Sequence, residues 1–444
     1  MPPALAATLT IFAIALLLRW QARQGEARGA ALWVPVLWLV ITGSRFVSQW
    51  INLGEWSSSA DTEGSPVDAL YFLTLMVIAV RILARRGVRV GEVIRANRWL
   101  AAMVIYACIS IAWSDFPFVA AKRWVKTLGH PLMALLIVTE PDPAAALRVV
   151  LKRCAFIMLP LSVLFVKYYP QYGRSFDTWS GIASNNGIGL TKNDLGYVCM
   201  VCGIFFSWNL LGLKRLRGRR ERWVEGFWSL VFLWTTFWLL GVSDSKTSLA
   251  TMLIGTFSMI ALGWRFVNKR WVGTYVVVLL VIALTLDSAF DLYAQVLGLL
   301  GRNASLTDRT VVWADVIAMQ QQPLFGYGFE SFWLGQRLEV LWAKFWWRPI
   351  QAHNGYIETY LNLGLIGVCL LVGLLLDTFR RITSQMSTDF ELARLKFALL
   401  LAIIAFNYTE AAFKAVHFIW TMFYIVAMQY PTRHRAVEPR SRRP

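Results

Sequence analysis

The chain has 444 residues, 57% of them hydrophobic, with 22 Trp, a mean hydropathy of +0.51 and a formal charge of +18. Apolar runs of bilayer-spanning length recur along it, which excludes a string of soluble domains and predicts an all-α polytopic integral membrane protein. The runs lack the alternation of roughly ten-residue strands that an outer-membrane barrel needs.

Thirteen spans are predicted in chain order, at about 4–18, 30–43, 67–80, 99–113, 127–139, 154–168, 194–213, 224–242, 247–263, 272–289, 356–376, 396–408 and 412–430. Several fall short of the roughly 20 residues a crossing helix needs, so the count is twelve or thirteen. The first run has no Lys or Arg before it, and Arg19, Arg23 and Arg28 follow it. That order is the reverse of a signal peptide and predicts a retained helix with an outward N-terminus. Residues 1–444 read as one transmembrane domain. Within it, 290–355 is a large loop ahead of a late span, rich in aromatics such as Trp313, Phe329, Trp333 and Trp346. So many aromatics predict short helices on the membrane surface or over a cavity. One such helix is predicted from Asp308 to Gln320, ended by Pro323 and the glycines at 326 and 328. The tail 431–444 is basic and predicted to be cytoplasmic, contacting anionic membrane lipids.

The charge is distributed unevenly. Loops 19–28, 81–98, 140–153, 214–225, 264–271 and 377–396 and the tail hold 30 of the 44 Lys and Arg but 10 of the 26 Asp and Glu, leaving 14 basic against 16 acidic residues elsewhere. The basic loops alternate with the others, as the positive-inside rule requires, so the charge marks a cytoplasmic face and not a nucleic-acid partner. Loops 44–66, 114–126, 169–193, 243–246, 290–355 and 409–411 then face outward. Cys199 and Cys202 sit inside an apolar run and read as two small core residues one turn apart. No cysteine or histidine cluster has zinc spacing, and there is no phosphate-binding loop, so neither a metal nor a cofactor is expected.

The outward loops carry cations against the general bias. They are Lys122, Arg123 and Lys126; Arg174 and Lys192; Lys246; and Arg302, Arg309, Arg337, Lys344 and Arg348. Such a set calls for an anion, and the outer surface of a membrane offers a bulky lipid-tethered one, a polyprenyl pyrophosphate. His353, where the long loop meets a span, is the candidate general base, since an imidazole ordinarily titrates near 6.5. Asn354, Asn193 and Glu358 are supporting candidates. Each has a structural alternative. His353 at a helix start is often a cap or an interfacial anchor, Arg309 has Asp308 beside it as a partner, and Lys192 can snorkel. Glu358 can be a packed, hydrogen-bonded group. His417 reads as a hydrogen-bonded core residue, and His130 and His434 carry no signal.

The stretch 353–367 resembles the signature of the O-antigen ligase superfamily: His, then Asn, Ser or Gln, nine residues, Gly, two residues, and Gly, Thr or Tyr. His353, Asn354, Gly364 and Gly367 fill it. Three further stretches are similar to that superfamily and its exopolysaccharide-polymerisation branch. They are Leu190-Thr191-Lys192-Asn193-Asp194-Leu195-Gly196, Ser243-Asp244-Ser245-Lys246-Thr247-Ser248, and Thr307-Asp308-Arg309-Thr310 with Trp313 and Pro323-Leu324-Phe325-Gly326-Tyr327-Gly328-Phe329. The resemblance implies a membrane glycosyltransferase of roughly twelve helices in the bacterial inner membrane, with a large periplasmic loop before a late helix. It implies an undecaprenyl-pyrophosphate-linked glycan donor, a glycan or lipid A-core acceptor, and metal-independent transfer with inversion. By position it makes His353 the essential histidine and Arg309 a donor-phosphate contact, with Lys192, Lys246 and Arg123 as weaker basic matches. Thr191 stands where the family often has His. Paired motifs of Arg, ten residues and Gly, typical of the classical O-antigen polymerases, are missing: that spacing leads from Arg174 to Asn185 and from Arg309 to Gln320.

Two rival functions remain from the sequence. One is a flippase for the same lipid-linked sugar, which predicts polar groups at mid-bilayer depth and not at one rim. The other is a non-catalytic partner in polysaccharide export.

Overall fold

The computed structural model describes residues 1–24, 29–53, 64–176, 181, 183–216, 218–290 and 309–431. Arg302 and Asp308 of the long loop, and the tail beyond Pro431 with His434, lie outside the described residues. Among the described residues the chain is all-α apart from one short hairpin. Its helices are α1 (Pro3–Arg23), α2 (Trp33–Thr42), α3 (Val47–Ile51), α4 (Pro66–Arg85), α5 (Val90–Ala96), α6 (Arg98–Ile109), α7 (Pro117–Thr127), α8 (Gly129–Val138), α9 (Pro143–Tyr168) and α10 (Pro170–Gly173). After the hairpin come α11 (Lys192–Gly212), α12 (Arg219–Ser243), α13 (Lys246–Leu262), α14 (Val272–Phe290), α15 (Arg309–Ala318), α16 (Gln336–Lys344), α17 (Gly355–Gln385), α18 (Phe390–Thr409) and α19 (Phe418–Ala427). Strands β1 (Arg174–Phe176) and β2 (Ala183–Asn185) pair antiparallel, with Arg174 opposite Asn185.

Each of the thirteen apolar runs contains a helix, and the short helix expected near 308–320 is α15. Length then divides them. Among the described residues, α1, α4, α9, α11, α12 and α17 are long and apolar enough to cross a membrane. Taken together, α5 and α6 make a seventh such segment, bent by 107°. A ten-residue helix such as α2, α8 or α19 rises about 15 Å, half of the roughly 30 Å hydrocarbon core. Apolar runs therefore located the helices, but not all of them are full crossings.

The centre of the bundle is α9 and α11, with 78% of their apolar windows buried, against 11% for α1. A helix apolar on every side yet so little covered faces lipid, and α1 exposes Leu5, Leu9, Ile11, Phe12 and Leu16. Around this centre α11 packs along α12 and α13, α13 along α18, and α18 along α17, while α8 carries α19.

Two irregular segments set up one end of the bundle. The first is a break in α17 at Gly364, whose φ of 64° and ψ of −166° only glycine adopts readily. The break strips several backbone groups of their helical partners, and the segment 323–332 supplies new ones. Leu365 N donates to Pro323 O at 2.8 Å, Ile366 N to Leu324 O at 3.2 Å, and Tyr327 N to Leu361 O at 3.1 Å. Asn362 Oδ1 accepts from Ser331 N and Phe332 N. A Cβ on Gly364 would lie 2.3 Å from Leu324 O, so the fit leaves no room for another residue. Of the two glycines of the 353–367 motif, Gly364 admits the loop, whereas a Cβ on Gly367 would strike Leu363 of the same helix across the break.

The second is the non-helical strap 410–417 between α18 and α19. The expected span at 412–430 is helical only from Phe418, because Lys414 and His417 break its apolar start and His417 caps the helix, accepting from Ile419 N at 3.1 Å. Ala415 is gripped from both sides. Its N–H donates to Glu330 Oε1 at 2.5 Å, and its carbonyl lies 2.8 Å from His130 Nε2. His130, which carried no signal in the sequence, is therefore a fully buried strut under the strap.

Candidate active site

His353 lies at the end of the long loop, followed by Asn354, the N-cap of α17. It takes a φ of 50°. The other non-glycine residues with positive φ among the described residues are Asp244, Glu330 and Arg348, at 50° to 52°. Such strain persists only where the surroundings fix it. Here the fixing is visible. Asn354 caps α17, its Oδ1 accepting from Tyr356 N at 2.9 Å and Ile357 N at 3.1 Å, while its Nδ2 donates to Tyr408 O. Glu358, one turn on and buried, accepts from Ala352 N at 2.5 Å and from Trp333 Nε1 at 2.9 Å. The carboxylate thus anchors the residue preceding His353 and ties it to the docked loop. Trp313 Nε1 holds the Ala352 carbonyl at 2.6 Å.

The imidazole faces a carboxylate that the sequence reading missed. Glu410, the first residue of the strap, is buried, and its Oε2 lies 3.2 Å from His353 Nδ1. Its Oε1 accepts from Arg309 Nη2 at 3.0 Å and from Asn193 Nδ2 at 2.7 Å. Arg309 Nη1 also donates to the Thr409 carbonyl. Burial on its own raises the Glu410 carboxyl, but the Arg309 charge and the His353 hydrogen bond outweigh it and hold the group down at about 2. Glu410 therefore stays ionised, an acceptor placed to orient the ring through Nδ1. His353 remains a quarter exposed, and its Nε2 has no hydrogen-bond partner among the described residues.

Asn193, Arg309 and His353 are thus brought together through one residue, and Asn354 and Glu358 support them from α17. The start of α11 is shaped by a capping box: Thr191 accepts from Asp194 N, and Asp194 Oδ2 accepts from Thr191 N. This presents Lys192 and Asn193 at the helix tip. The turn before α13 abuts the same place, since Ser245 Oγ donates to Asn193 Oδ1 at 3.3 Å and Thr247 Oγ1 meets Thr409 Oγ1. Lys246 pairs with Asp244 at 2.8 Å on the surface. Arg123 belongs to a neighbouring cluster, donating to the Glu330 carbonyl. Arg309 was expected to meet phosphate. In this structure its guanidinium, 12% exposed, is engaged with Glu410 and Thr409.

Three residues of the site escaped the sequence reading: Glu410, Gln351 and Lys414. Gln351 Nε2 lies 3.2 Å from His353 Nδ1, and Lys414 Nζ donates to Gln351 Oε1. A signal existed for Glu410, an acidic residue in a turn of three expected to face outward. Lys414 was hidden inside an apolar run.

Residues 231–372 match the family Wzy_C, O-Antigen ligase, a range that takes in Lys246, Arg309, His353 and the broken part of α17. The chain is also 27% identical over 298 residues to the exopolysaccharide production protein ExoQ of Rhizobium meliloti (strain 1021). That similarity covers 63% of this chain and 64% of ExoQ, so it spans just under two thirds of the relative's length. The chain is an all-α polytopic membrane protein, similar over residues 231–372 to the O-antigen ligase family, with the motif residues gathered at one end of the bundle.

Proposed function

We propose that this protein is a glycosyltransferase of the bacterial inner membrane, moving a glycan from an undecaprenyl-pyrophosphate carrier to an acceptor hydroxyl at the periplasmic face. The observation that carries the reading is the His353–Glu410 pair: an imidazole oriented through Nδ1 by an ionised carboxylate, with Nε2 directed away from it. In the step, Nε2 takes the proton of the acceptor hydroxyl, whose oxygen attacks the anomeric carbon. The bond from that carbon to the carrier breaks, its electron pair leaves on the diphosphate, and the configuration inverts. Glu410 balances the imidazolium that forms, as the carboxylate of a hydrolytic triad does.

Lys192, Lys246 and Arg123 are the cations proposed to meet the diphosphate. Arg309 joins them only by exchanging its contact with Glu410, so in the resting protein it steadies that carboxylate. The step as drawn uses no metal or cofactor.

The likeness to ExoQ, and the missing pair of Arg, ten residues and Gly motifs, favour an exopolysaccharide polymerase over a ligase. The test is His353→Ala in the native strain. The variant is expected to insert normally while lipid-linked glycan accumulates and long polymer is lost. Polymer that is complete but still on its carrier identifies a ligase instead. Normal glycan transfer overturns the reading, and movement of lipid-linked sugar across liposomes without bond change identifies a flippase.

A further inference from the structure

Two side chains claim the same nitrogen of His353. Glu410 Oε2 and Gln351 Nε2 each lie 3.2 Å from Nδ1. Their requirements are opposite. An ionised carboxylate only accepts, so it needs a proton on Nδ1. The amide nitrogen only donates, so it needs the lone pair there. The Gln351 amide is not free to turn over and resolve the conflict. The Lys414 ammonium carries donors and no acceptor, and it is bonded to Gln351 Oε1, which leaves Nε2 towards the ring.

Nδ1 therefore serves one partner at a time. When it accepts from Gln351, the neutral ring carries its proton on Nε2 and has nothing there to receive a proton from a hydroxyl. When it donates to Glu410, the Nε2 lone pair is open. Which of these holds depends on whether Lys414 keeps its grip on Gln351.

The charge environment of Lys414 bears on this, and includes the buried Glu358. Arg309, Lys246, Arg337 and Lys344, all at this end of the bundle, face Glu410, Asp244, Asp115 and Asp315. Half-buried Lys414 is in no ion pair among the described residues, and its hydrogen bond goes to a neutral amide. An ammonium so placed, two contacts from the imidazole, suits an anion's oxygen.

We propose that Lys414 is a diphosphate-contacting residue of this site, and that Gln351 couples its occupancy to the tautomer of His353. The inference rests on the transfer reading given above. An arriving diphosphate draws the Lys414 ammonium off Gln351. The amide relaxes, the ring loses its proton from Nε2 to solvent and gains one at Nδ1, and Glu410 accepts that hydrogen bond. No net proton is exchanged. The base becomes competent when the donor is present, which imposes donor-first order. Gln351 acts as a positioning residue.

The test uses the full chain in lipid nanodiscs, with farnesyl diphosphate and inorganic diphosphate as probes. Lys414→Met is expected to weaken farnesyl diphosphate binding by about tenfold, the value of one charge-assisted hydrogen bond, and Lys414→Arg to restore it. Gln351→Met is expected to tighten binding, because the ammonium no longer has to be released. It is also expected to speed modification of His353 by diethyl pyrocarbonate, followed by peptide mass spectrometry. A structural role for Gln351 would move neither measurement in that direction. Binding of farnesyl diphosphate well above inorganic diphosphate assigns the contact to a lipid-borne group, and equal binding assigns it to the diphosphate alone; both support the contact. Unchanged binding in Lys414→Met overturns the proposal. So does weaker binding, or slower modification, in Gln351→Met. None of these measurements depends on glycan transfer, so their failure leaves the transfer reading in place, whereas normal transfer by His353→Ala removes it.

Discussion

Glu410 and His353 are 57 residues apart in sequence, yet Oε2 of one lies 3.2 Å from Nδ1 of the other. The contact joins the strap after α18 to the end of the long loop before α17, so the pair is assembled across two connections. Replacing His353 by Ala is expected to slow transfer by roughly 10²–10⁴-fold, the usual contribution of a positioned acid–base group. Glu410→Gln keeps the shape but loses the ionised acceptor, and is expected to slow transfer by about 100-fold or more. Turnover of a lipid-linked donor by each purified variant checks both. Near-normal turnover by Glu410→Gln would reduce Glu410 to a packing residue.

The same carboxylate makes stability depend on acid. The Glu410 carboxyl is held at about 2, below its ordinary 4.5. A group whose value falls on folding stabilises the fold above its free value and loses that contribution as pH drops through the folded one. The window therefore runs from about pH 4.5 down to about 2, and the amount is on the order of 3 kcal/mol. The thermal midpoint in detergent is expected to fall across that range, and to fall less in Glu410→Gln. Parallel curves for the two proteins would disprove the assignment.

Arg309 gives a third prediction. Arg309→Met leaves a buried carboxylate without its cation, a loss worth about 3–5 kcal/mol when a buried pair is broken from one side. Arg309→Lys keeps the charge but reaches only one of the two acceptors, Glu410 Oε1 or the Thr409 carbonyl. Thermal midpoints are expected to order wild type above Lys above Met. A midpoint for Arg309→Met equal to wild type would contradict the clamp.

A fourth concerns the break in α17. Gly364→Ala places a methyl group 2.3 Å from Leu324 O at a φ of 64°, and is expected to destabilise by at least about 2 kcal/mol. Undocking should show as faster protease cleavage within 320–332. Gly241→Ala, where an added Cβ meets nothing within 4 Å, is the control and is expected to be neutral or slightly stabilising. Equal behaviour of the two variants would refute the docking account.

Helix positions were legible because a run of apolar side chains is a local property. Crossing was less so, since hydropathy does not register a bend such as that between α5 and α6, or a strap such as 410–417. Asn354 and Thr191 were readable as polar residues at helix starts, and both are caps. Glu410 and Lys414 were not, because what distinguishes them is proximity to residues far away in the chain. Gly364 was visible as a motif position, but its reason lies in the Leu324 carbonyl pressed against it. Arg309 was visible as a basic motif position, while its partner in this structure, Glu410, was invisible from its own neighbourhood.

The grip of segment 323–332 on α17 has a consequence for biosynthesis. Segment 323–332 is held on one side by residues translated before it, Ser110 on Phe329 N and Arg123 on the Glu330 carbonyl, and on the other by Leu365 and Ile366, translated after it, so its seat is complete only once the ribosome has passed Ile366. A chain arrested before residue 366 therefore carries His353 with only part of the seat for the loop beside it.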